Sequence, residues 1–70
     1  MKNPFTVETE REDDGRWIAE VVDVPGALAC GASRDEAIAR AEAVALRALA
    51  ERLEDGESVP ALDKVFSVAA

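Results

Sequence analysis

Histidine and tyrosine are absent from the 70 residues, and cysteine and tryptophan occur once each. Without histidine the chain has no imidazole general base, no His-ligated zinc site and no Ser-His or Cys-His nucleophilic pair of its own. The single Cys30 excludes an internal disulfide and fits a reducing compartment, so a cytoplasmic location is expected. Long hydrophobic runs are missing too. Near the N-terminus Phe5 and Val7 stand among Lys2, Glu8 and Glu10, which is neither a signal-peptide core nor a lipid-spanning stretch, and no membrane association is expected. Positive charge is scarce: eight Lys and Arg face fifteen Asp and Glu, a net charge of −7 that repels a phosphate backbone and disfavours direct nucleic-acid binding. Large side chains are few as well, because fourteen of the hydrophobic residues are alanine. A chain this short forms one domain, residues 1–70, with a marginal core and neither disulfide nor metal to brace it. Self-association into a dimer or tetramer is the remaining support, with an even number favoured because two-fold interfaces are the commonest.

What is present is ordered punctuation between β-rich and α-rich stretches. Phe5 to Glu10 alternates with a period of two and predicts a first strand. Asp14-Gly15 marks a turn, because glycine tolerates positive φ, and Arg16 to Val22 resumes the β pattern as the second arm of a hairpin. In Asp23-Val24-Pro25-Gly26, Pro25 presets φ at the second position of a type II turn and Gly26 is free to take the left-handed third, so a short strand from Ala27 to Cys30 follows. Ser33-Arg34-Asp35-Glu36 reads as a capping box, with the Ser33 hydroxyl accepting from the Glu36 N–H and the Glu36 carboxylate reaching back to Ser33. The helix it starts at Arg34 runs to Glu54 or Asp55, where Gly56 caps it. Its apolar face is Ile38, Ala41, Ala45, Leu49 and Leu53, widened by Val44, Leu46, Ala48 and Ala50, and its polar strip is thin. Beyond Pro60, Lys64 to Ala69 reads as a last strand.

These elements predict an α+β fold: a two-layer β-β-β-α-β unit with one helix packed on a sheet. A right-handed crossover from helix to last strand puts that strand beside the first and gives the sheet order 3-2-1-4. The far face of the sheet then lacks cover. Ile18 and Val22 on one side alternate with Trp17, Ala19 and Val21 on the other, so both faces carry apolar groups, and a protein partner or a second copy is expected on the uncovered one.

The residues that could act on something else are few. Glu8, Glu10, Glu12, Asp13 and Asp14, interrupted by Arg11, form an acidic patch that would steer a basic partner; the plainer reading is a solvated hairpin tip that keeps an edge from aggregating. Glu12-Asp13-Asp14-Gly15 lacks the alternating ligands and closing Glu of a calcium loop, and no metal or other cofactor is expected. Trp17 could plug a pocket on a partner, or could simply be core. Cys30 reads as a small buried hydrophobe rather than a nucleophile, and Gly15, Gly26 and Gly31 read as backbone requirements.

Taken in order, Glu12-Asp13-Asp14-Gly15-Arg16-Trp17-Ile18-Ala19-Glu20, then Asp23-Val24-Pro25-Gly26, then Gly31-Ala32-Ser33-Arg34-Asp35-Glu36-Ala37 closely resembles the HicB-like antitoxin family. The family pattern is an acidic-Gly turn, a strand, a D-x-P-G turn, a G-x-[TS] step and an E-A helix start. The likeness covers about Phe5 to Pro60 and marks Gly15, Asp23, Pro25, Gly26, Gly31, Ser33, Glu36 and Ala37 as motif positions with structural roles. It implies a partial ribonuclease H-like fold and a non-catalytic function: neutralisation of a small basic, RNA-cleaving toxin of the HicA type by direct protein contact. The acidic patch and Trp17 are then the residues expected to meet the toxin.

Two departures from the family bear on that expectation. Many members carry a C-terminal DNA-binding segment, whereas here residue 70 follows one predicted strand, so autorepression by this polypeptide alone is not expected. Ala32-Ser33 stands where Asp-Thr is usual, which keeps the cap and loses a charge. The alternative is a solitary, self-assembling structural domain with no toxin partner. A third reading, a two-metal nuclease, needs carboxylates converging from sheet and helix, and the last predicted strand, Val65 to Ala69, offers none.

Overall fold

The computed structural model describes residues 5–69. Three antiparallel strands, β1 (Val7–Arg11), β2 (Trp17–Val21) and β3 (Leu28–Gly31), form a meander in the order β1-β2-β3, and a helix α1 (Arg34–Glu54) packs across one face. A short 3₁₀ helix follows over Pro60–Lys64. The class is α+β. Among the described residues no helix is long and apolar enough to cross a membrane.

Each connection forms for a local reason. In the first hairpin the Glu12 N–H donates to the Arg16 carbonyl and the Gly15 N–H to the Glu12 carbonyl, with Gly15 at φ 90°, a three-residue loop that needs glycine at its last position. The Asp14 side chain accepts from the Arg16 N–H and stiffens this loop. In the second connection the Ala27 N–H donates to the Val24 carbonyl, with Gly26 at φ 85°, the type II turn that Pro25-Gly26 predicts. Asp23 has a tertiary role there: its carboxylate accepts from the Thr6 N–H at 2.6 Å and ties the approach to β1 onto the β2–β3 turn.

The Ser33 Oγ accepts from the Glu36 N–H at 3.1 Å, so the cap forms. The Glu36 carboxylate reaches one residue further back than predicted, accepting from Ala32 rather than Ser33, and it also pairs with Arg40 at 3.2 Å. At the other end the Gly56 N–H donates to the Leu53 carbonyl and the Glu57 N–H to the Arg52 carbonyl, a Schellman closure.

The buried core consists of Ala19, Val21, Val24, Ala27, Ala37, Ala41, Ala45 and Leu49. Alanine at every fourth helix position lets α1 sit close to the sheet, and the closest approach is at Gly31, where a Cβ would lie 2.6 Å from the Ala37 backbone nitrogen. Ala37 thus takes the buried place that the pattern gives to Ile38, which is half-buried, while Leu53 lies beyond the sheet and is half exposed.

The predicted strand from Lys64 to Ala69 does not form, and the order 3-2-1-4 stops at its first three members. Pro60 opens a 3₁₀ turn, and the Val65 and Phe66 N–H groups both fold back onto the Leu62 carbonyl, which ends any extension from Lys64. Val59 and Leu62 pack on the core, but Val65, Phe66 and Val68 are exposed.

Candidate functional site

The pleat of the meander sorts its residues onto two faces. Val7, Thr9, Trp17, Ala19, Val21, Ala29 and Gly31 face the helix. The alternate positions form two rows across the outer face: Glu8 opposite Glu20 opposite Leu28, and Glu10 opposite Ile18 opposite Cys30. The next pair along the hairpin, Glu12 and Arg16, leads to Asp13 and Asp14 at the turn. Six carboxylates therefore share this side of the meander with Ile18 and the half-exposed Leu28, Glu8, Glu10 and Glu20 beside the two apolar groups and Glu12, Asp13 and Asp14 toward the hairpin with Arg16.

Two open concavities follow these rows. One, of about 420 Å³, is lined by Glu12, Asp13, Asp14, Arg16 and Cys30. The other, of about 310 Å³, is lined by Glu8, Thr9, Glu10, Ile18, Glu20 and Leu28. Among the described residues the ion pair is Arg40–Glu36, on the helix, and none of these six carboxylates forms a salt bridge with a described cation. Glu8 directly opposite Glu20 is a repulsive cross-strand pair, a small cost to the sheet that a cation placed between them removes. Two other arginines are engaged elsewhere. Arg34 donates to the Thr9 hydroxyl, and Arg11 lies against Gly15 at the helix-facing end of β1.

All five carboxylates of the predicted acidic patch thus belong to one surface. Trp17 does not: it points to the helix side and packs half-buried against the core. Ile18, Glu20, Leu28 and Cys30 complete the face and were missed as site residues, although the two-residue alternation that places Glu8 and Glu10 together would have found Ile18 and Glu20. Cys30 is half-buried on this outer face, not a core residue. Of the motif positions, Gly15, Asp23, Pro25, Gly26, Gly31, Ser33, Glu36 and Ala37 all lie in turns, caps or the sheet–helix contact described above. Among the described residues no three His, Cys, Asp or Glu side chains are grouped to hold a metal ion.

An arrangement of this kind can bind by charge and contact: an apolar centre for desolvation and a carboxylate rim for orientation and rapid encounter. Comparisons with known protein families, with curated proteins and with solved structures give no match.

Proposed function

We propose that the chain is an antitoxin-like binding module that resembles the HicB-like family and neutralises a small basic, RNA-cleaving protein by covering it. The observation that carries this reading is the outer sheet face, where Glu8, Glu10 and Glu20 stand beside Ile18 and Leu28 and the hairpin adds Glu12, Asp13 and Asp14 with one arginine among them. A protein whose own substrate is RNA presents a cationic surface, and a carboxylate-rimmed face of this size competes with phosphate for it. The turn and cap motifs that carry the family resemblance support the reading by building the scaffold that displays this face. The module acts by contact and not by catalysis, in the cytoplasm where such a toxin meets its RNA. The family's sheet order 3-2-1-4 belongs to the same proposal, with its fourth position beside β1.

The test is to express the chain with the small basic protein encoded beside its gene. Co-elution in a complex of defined mass and arrest of RNA cleavage are expected. Cleavage that continues at saturating amounts of the chain contradicts neutralisation and leaves the solitary structural domain as the better reading.

A further inference from the structure

The segment after the 3₁₀ helix alternates like a strand, and among the described residues it pairs with no strand. Phe66 is 66% exposed and Val68 93%, and they alternate with Val65 and Ser67. Burying such groups is the main favourable term open to a small protein, so their exposure calls for an occupied state in which they are covered.

The sheet offers an edge that suits this segment. In the β1–β2 ladder Thr6 and Glu12 direct their backbone groups toward β2, so by alternation Val7, Thr9 and Arg11 direct theirs to the open side of β1. Among the described residues nothing pairs with them. The β3 edge is managed differently: the Cys30 carbonyl accepts from the Arg40 guanidinium, and the Leu28 N–H donates to the Gly26 carbonyl. Beside the β1 edge, below α1, lies an apolar groove of about 330 Å³ lined by Phe5, Val7, Val21, Ala45, Leu46 and Leu49, with Glu42 at its rim.

We infer that this groove and edge receive residues 65–69 of a second copy, added as a strand to β1, and that the exchange is reciprocal in a two-fold dimer. Phe66 and Val68 then enter the groove, while Val65 and Ser67 lie on the outer face. Backbone pairing satisfies Val7, Thr9 and Arg11. Asp63 and Lys64 lead into the segment, and the charged side chains along the groove and the β1 edge include Glu42, Glu8 and Arg11. In its own chain the segment is turned back at Leu62, which leaves it projecting for another copy to take up. This inference does not depend on the antitoxin reading.

Sedimentation equilibrium of the full chain across a range of concentrations tests it. A mass near twice 7.5 kDa is expected, and a monomer at every concentration overturns the inference. Phe66→Asp and Leu46→Glu change exposed side chains on the two sides of the contact, so each should keep the helical circular-dichroism signal. Each should also weaken the dimer more than about tenfold, as loss of a central anchor does. A dimer indifferent to both changes uses another face and overturns the inference. In a Cys30→Ser background, a mixture of a Leu46→Cys chain and a Phe66→Cys chain should oxidise mainly to the mixed disulfide. Failure to form it means that the segment is not seated in the partner's groove.

Discussion

At Gly31 the difference between glycine and alanine is a single carbon atom placed 2.6 Å from the backbone of Ala37. That distance forces the start of α1 off the sheet, and Gly31→Ala should cost about 1–3 kcal/mol, the usual range for overpacking. A core with five alanines among its eight buried residues has little in reserve, so a large fall in the thermal midpoint is expected by circular dichroism. Removal of the cap by Ser33→Ala should cost about 1 kcal/mol in the same measurement. Both positions were legible in the sequence, because a glycine before a cap and a Ser-x-x-Glu box report local backbone needs. Asp23 was legible only as part of a turn. Its bond to the Thr6 N–H joins residues 17 apart and depends on the register of two strands, which no local pattern states.

At the scale of elements, the same period of two that predicts the strands also assigns faces, and the assignment decides what the acidic patch is. The alternation joins Glu8 and Glu10 to Ile18 and Glu20, and sends Trp17 to the helix side, where its bulk is used in packing. The repulsive pair Glu8–Glu20 yields a test with two readouts of opposite sign. Glu20→Lys should stabilise the isolated chain by roughly 0.2–1 kcal/mol in a urea titration, through an opposite-charge cross-strand pair. It should at the same time weaken the complex with a basic partner. Loss of stability instead would mean that Glu20 has a structural task on this face. The last predicted strand failed for a reason also visible at this scale. Val65 to Ala69 has the composition of a strand, but a strand is defined by what it pairs with, and two hydrogen bonds to the Leu62 carbonyl turn the chain away before it reaches β1.

For the whole molecule, charge and burial point to different surfaces with different tasks. The outer face is acidic and open, whereas the β1 edge and its groove are apolar and suited to a strand. If the two are separate, dimerisation and partner binding should respond separately: Phe66→Asp should dissociate the dimer yet leave the outer face able to bind, and Glu10→Lys should do the reverse. Sedimentation of each variant, with and without the basic protein, reads both at once. Calorimetric titration of that basic protein with two variants of equal net charge decides whether the outer face is the binding site. One carries Glu8→Lys and Glu10→Lys on the outer face; the other carries Glu51→Lys and Glu54→Lys on the solvent side of α1. A binding face on the sheet predicts that the first loses affinity by more than about tenfold while the second stays near the unaltered chain. Equal losses in both would show that only net charge is being sensed, and would contradict the assignment of the outer face as the site.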